Sequence, residues 1–149
     1  MNKGDKQSFR SVLLKEECNG MTCDFSVINM RDTHLIDILL IKFSGEYRPG
    51  SQGKAESGYL VGMVKLGIEV WRPFKVAIDL QDVKYEWGDD MALLFDAPED
   101  LKTVVIVGKD NKRAISTLLY GIDTDKDAVD NKFFFDEFAR AIDKLKKMK

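Results

Sequence analysis

The stretch 75-KVAIDLQDVKYEWGDDM-91 decides how this chain is read. Val76, Ala77 and Ile78 form a short apolar run that closes in Asp79-Leu80, the pattern of a strand buried on both faces. A polar turn follows, and Trp87-Gly88-Asp89-Asp90 precedes an apolar helical pattern over 90–95. The unit is therefore strand, turn, helix, with acidic residues at the helix start. Every other element can be placed relative to it.

Upstream, Phe25–Met30 reads as a strand and Arg31-Asp32-Thr33 as a tight turn. His34–Phe43 is apolar at almost every position, which fits a strand covered on both faces. A buried helix competes for that run, and the flanking turns favour a hairpin. Phe9–Lys15, with Val12, Leu13 and Leu14, is expected to be an edge strand, and Asn19-Gly20 marks a turn after it. Residues 1–8 are polar and expected to fray. Residues 48–55 carry Pro49, Ser51 and two glycines and read as a loop.

Glu56–Trp71 has helical spacing. Leu60, Val61, Val64, Ile68 and Trp71 form a stripe that Met63, Gly67 and Val70 widen. Gly62 and Gly67 each cost about 1 kcal/mol of helix propensity, so close packing against a sheet is expected at both. Pro73 ends the helix.

Downstream, Thr103–Val107 is a β-branched buried strand and 108–111 its loop. Lys112–Tyr120 is a helix with Ile115, Leu118 and Leu119 inward and Gly121 after its end. An acidic loop covers 122–132, Phe133–Phe135 forms a short strand, and Asp136 is placed to cap a last helix striped by Phe138, Ile142 and Leu145. Strands first, then helix and strand in alternation, predict an α/β fold: one domain over 1–149, with a mixed, mostly parallel sheet and an opening β-hairpin.

The 149 residues are 44% hydrophobic and 32% charged, enough for one proper core. A formal charge of −2 gives no reason to expect nucleic acid or a membrane surface as partner. No run reaches the apolar length of a membrane span, and the first residues have no apolar signal core, so a cytoplasmic location is expected. Cys18 and Cys23 then read as reduced thiols flanking a turn, with a disulfide as the alternative. A zinc site would need two more soft ligands, and His34 is the single histidine.

Catalytic chemistry is hard to find. His34 has no Ser or Cys beside it. Asp79, Asp82, Asp89 and Asp90 could crowd one sheet end and hold Mg²⁺ with a phosphate, although such residues more often cap and line turns. Gly108-Lys109 follows a buried strand without P-loop spacing. The run 123-DTDKDAVDN-131 lacks the Gly and closing Glu of an EF-hand and reads as a solvated loop. No catalytic, cofactor or metal residue is assigned.

The order of elements resembles the STAS domain of bacterial anti-sigma factor antagonists. The residues that carry the likeness are Ser44-Gly45-Glu46-Tyr47 after the hairpin, Asp79-Leu80-Gln81 at the central strand end, and Val107-Gly108 after the next. Arg113, Leu118, Leu119 and Gly121 match the following helix, and Phe135, Ala139 and Ala141 the last. The resemblance implies a non-enzymatic, regulatory protein-interaction domain in a bacterial signalling or toxin-antagonist setting. It also implies a protein partner and leaves a homodimer open. A small-molecule or nucleotide-binding domain with weak hydrolase activity is the alternative.

Where that family carries Asp-Ser-Ser-Gly, counting on from Asp79 places Trp87, Gly88 and Asp89. Gly88 stands at the serine that partner kinases phosphorylate and has no hydroxyl. Trp87, Gly88, Asp89 and Asp90 are therefore the expected partner-binding residues. Asp89 is either a helix cap or a fixed negative charge facing a partner. Trp87 either packs on its own domain or anchors the partner.

Overall fold

The computed structural model describes residues 7–18 and 20–149. Leu14–Glu17 is a short helix, α1, preceded by irregular backbone. The edge strand expected over 9–15 is thus corrected: Phe9, Val12, Leu13 and Leu14 are all exposed, and a run with no face to bury has nothing to pair for. Asn19 of the expected turn lies outside the described residues, as do residues 1–6 of the expected frayed end.

Met21–Asn29 (β1) and Ile36–Tyr47 (β2) form the antiparallel hairpin. Its turn places Asp32 at φ 59, a conformation that Asp tolerates. After a 3-10 turn at Gly50–Gly53 comes the helix Lys54–Trp71 (α2), which ends on Arg72 in the left-handed conformation just before Pro73. Lys75–Tyr85 (β3) lies parallel to β2. A 3-10 turn, Asp89–Met91, leads into Ala92–Asp96 (α3). Lys102–Ile106 (β4), Lys112–Tyr120 (α4), Phe134–Phe135 (β5) and Phe138–Lys147 (α5) complete the chain. The sheet order is β1-β2-β3-β4-β5, with every pairing after the hairpin parallel. This is the expected α/β architecture.

Two layers cover the sheet. On one face Leu39, Ile41, Phe43, Val76, Ile78, Val105 and Val107 pack under α2, α3 and α4. On the other, Ile38, Ala77, Val104 and Ile106 meet Ala141 and Leu145 of α5. Alternate residues of β3 and β4 serve the two faces, which is why their sequences are apolar without a break.

Several local expectations are corrected. β3 runs to Tyr85 because a register shift between Lys42 and Ser44 lets its polar end go on pairing with β2. Gly67 is pressed on the sheet: a Cβ there would lie 2.7 Å from the Phe25 ring. Gly62 is not, since open space surrounds its missing Cβ, and Val70 is exposed instead of joining the stripe. In α5 the buried residues are Ala141 and Leu145 while Phe138 is exposed. Asp136 does not cap α5, because its carboxylate is taken by Lys112 Nζ at 2.8 Å and Glu137 holds the capping position. Cys18 is buried, and its thiol donates to the Ala55 carbonyl at 3.4 Å; both cysteines are free thiols.

Candidate partner-binding site

The carboxyl ends of β2, β3 and β4 meet where the loop 86–90 leaves the sheet. Tyr85 is the last residue of β3, buried and set edge-on to Tyr47 at a centroid distance of 5.1 Å. Its hydroxyl donates to the Gly88 carbonyl at 2.7 Å. Burial pushes the Tyr85 hydroxyl pKa well up, and nearby Tyr47 and Asp89 add to the effect, so the group stays a proton donor at all ordinary pH. The Gly50 N–H donates to the Trp87 carbonyl at 3.2 Å. Two bonds therefore hold the loop on either side of Gly88, which sits at φ 139 and ψ 120. A side chain rarely adopts that conformation, so glycine is required by the backbone.

Trp87 packs on its own domain and is still largely exposed. Its ring leans on Gly50, where a Cβ would fall 2.5 Å from the indole, yet 63% of the residue is exposed. Asp89 is not a helix cap. The capping position belongs to Gly88, and Asp89 is already the first residue of the 3-10 turn, with no side-chain cap bond. Side-chain capping needs a polar side chain on the extended residue before the turn, and glycine supplies none. The Asp90 carbonyl accepts from Ser57 Oγ at 2.9 Å, which ties the turn to α2. The side chains of Glu86, Asp89 and Asp90 stand at the surface.

The facing wall is the loop between β4 and α4. Gly108 approaches β3 so closely that a Cβ would lie 2.3 Å from the Gln81 carbonyl oxygen. Asn111, buried, completes the joint. Its Nδ2 donates to the carbonyls of Leu80 at 2.6 Å and Val83 at 2.8 Å, and its Oδ1 accepts from the Gly108 N–H at 3.0 Å. Between the two walls runs an open cleft of about 620 Å³. Glu86, Trp87 and Asp89 line one side; Lys109, Arg113 and Ile122 line the other, with Ile122 82% exposed.

The four aspartates do not crowd one point. Asp79 is buried, accepts from the Gln81 N–H at 2.9 Å, and has its pKa raised by desolvation. Asp82 pairs with Lys42 at 3.2 Å, while Asp89 and Asp90 belong to the loop beyond. Among the described residues no three His, Cys, Asp or Glu side chains gather as a metal site would require. The 123–131 loop is fastened by its own capping box of Asp127 and Asp130 and by Lys112 of α4, whose Nζ lies 3.2 Å from Asp127. His34 is exposed at the hairpin turn.

Sequence reading missed Asn111, Tyr85 and Gly50. Asn111 looked like an ordinary loop residue before a helix. The available signal was a polar residue one position short of an amphipathic helix, which cannot reveal bonds to residues about thirty positions away.

The arrangement is that of a STAS-like α/β domain. Among solved structures it is similar to an anti-sigma factor antagonist from Mycobacterium paratuberculosis, with a TM-score of 0.59 and 16% identity, covering 87% of this chain and 97% of that one. At that identity the likeness is one of fold. No protein-family model matches the chain, and no curated protein matches it in sequence. Among the described residues no helix is long and apolar enough to cross a membrane.

Proposed function

We propose that the protein is a non-enzymatic regulatory domain of a cytoplasmic bacterial signalling system that binds a protein partner across the 86–90 loop. The observation that carries this reading is the exposed Trp87, held on the rim of an open cleft by bonds to both sides of Gly88. An aromatic ring on a fixed loop loses little conformational freedom on docking, and Trp is enriched at binding hot spots. A fold shared with an anti-sigma factor antagonist points the same way.

In this reading the family's serine switch is missing, and Asp89 presents a permanent charge near the place of the phosphate. Incubation with an anti-sigma-type kinase and ATP leaves residues 86–91 unmodified by mass spectrometry. Three amides at the 108–111 loop are already bonded within the chain. The Gly108 N–H is committed to Asn111, and the N–H groups of Asn111 and Lys112 are committed to the Gly108 carbonyl. A phosphate would find no free amide among these three.

The test is capture of partners from the native cell with wild type, Trp87→Ala and Asp89→Ser. A protein retained by wild type and lost with Trp87→Ala, at unchanged melting temperature, supports the reading. Equal capture by all three chains, or saturable nucleotide binding in the cleft, overturns it.

A further inference from the structure

The far edge of the sheet carries an interface independent of the 86–90 loop. β1 is an edge strand with β2 on one side and no strand on the other among the described residues. An antiparallel ladder bonds alternate residues. The Gly20 carbonyl accepts from the Glu46 N–H at 3.0 Å, and the Met30 N–H donates to the Leu35 carbonyl at 2.8 Å, so the even-numbered residues face β2. Cys23, Phe25 and Val27 therefore turn their N–H and C=O groups to the open side. The strand has no Pro or Lys to block pairing, and the register shift at Ile28/Asn29 places the unpaired residue, Asp37, on β2 rather than β1.

The helix above this edge is unfinished on the same side. Tyr59, Met63, Leu66 and Val70 recur at helical spacing along one flank of α2, and Tyr59 lies near Cys23 and Asp24 of β1. The opposite flank, with Ile68, faces the 97–101 segment. Leu66 is 50% and Val70 58% exposed, an apolar flank that nothing in this chain covers among the described residues.

We propose that the protein forms a two-fold homodimer by antiparallel pairing of β1 with the same strand of a second copy, with Phe25 on the axis. Three constraints select this register. Met21–Asn29 has its midpoint at Phe25, so this register gives the longest overlap. It pairs outward-facing Cys23 with Val27 of the partner subunit, so that hydrogen-bonding groups meet each other. It also sets Asp24 opposite Ser26 of the partner subunit. A register centred on Asp24 would place two like charges directly opposite, which is destabilising. The same axis brings the two α2 flanks together in antiparallel orientation over a joined ten-stranded sheet.

Sedimentation velocity of the full chain over a range of concentrations, with amide hydrogen exchange, tests the proposal. Wild type is expected at twice the 17.0 kDa chain mass, with slow exchange at Cys23, Phe25 and Val27. Val27→Pro removes an N–H that bonds nothing within the protomer and should give a folded monomer. Leu66→Lys with Val70→Lys, on a surface exposed in the monomer, should weaken the dimer without lowering the monomer's melting temperature. A wild-type chain that stays at 17.0 kDa, fast exchange at Phe25 and Val27, or a dimer that survives both sets of changes would overturn it.

Discussion

Asn111→Ala is the most informative single change, because this side chain joins three backbone segments. Three hydrogen bonds disappear: those to Leu80 and Val83, which are buried, and that from Gly108, which is partly buried. A net contribution of about 1 kcal/mol per bond gives roughly 3 kcal/mol, and leaving buried partners unsatisfied raises the loss toward roughly 5 kcal/mol. That is a large part of the roughly 5–15 kcal/mol of a typical domain. Urea unfolding followed by Trp87 and Trp71 fluorescence should show the midpoint falling by about 2 M, for a slope of about 2 kcal/mol per M. Asn111→Asp sharpens the test. The carboxylate keeps the bond from Gly108 but faces two carbonyl oxygens, so its folded pKa rises above the unfolded value. The folded variant then binds its proton more tightly, so its stability is greatest below the ordinary carboxylate pKa and falls as pH rises through the raised value. Asn111→Ala has no such group and loses stability to the same extent at every pH. A loss below about 1 kcal/mol for Asn111→Ala, or no pH dependence for Asn111→Asp relative to it, would refute the account of the joint.

Three further outcomes are expected. Burial raises the pKa of Asp79, so the wild type loses stability as pH climbs above the usual carboxylate range; Asp79→Asn should raise the melting temperature near neutral pH, with the gain shrinking on acidification, read by calorimetry at several pH values. Gly88→Ser should cost about 1–3 kcal/mol because serine is strained at φ 139, and circular-dichroism melts unchanged from wild type would contradict the loop geometry. Burial, with Asp24 beside it, pushes the Cys23 thiol up to about 12, so iodoacetamide at pH 8 should label it far more slowly than a free cysteine peptide, and labelling at the peptide rate would show the strand to be open.

The order of elements was legible in the sequence because each element writes its period locally. Apolar runs at 34–43, 75–80 and 103–107 became β2, β3 and β4, and the helical spacing of 56–71 and 112–120 became α2 and α4. Gly67 announced a close approach and makes one. The candidate loop was also visible, since Trp87 and Gly88 break the pattern where a strand hands over to a helix. What the loop does with its residues was not visible. Asp89 has the chemistry of a cap, but the bonds from the Tyr85 hydroxyl and the Gly50 N–H hold the loop with Gly88 in the capping position instead. Asp136 likewise has the chemistry of a cap, and Lys112, more than twenty residues away, takes its charge. Leu145 and Ile142 of the helical stripe do pack on the sheet, but the stripe's first residue, Phe138, is exposed and Ala141 is buried beside Leu145. Local pattern fixes which residues turn, extend or coil. Hydrogen bonds and ion pairs between distant segments exist only after the chain has packed, and they alone decide which polar side chain is a cap, a joint or a surface.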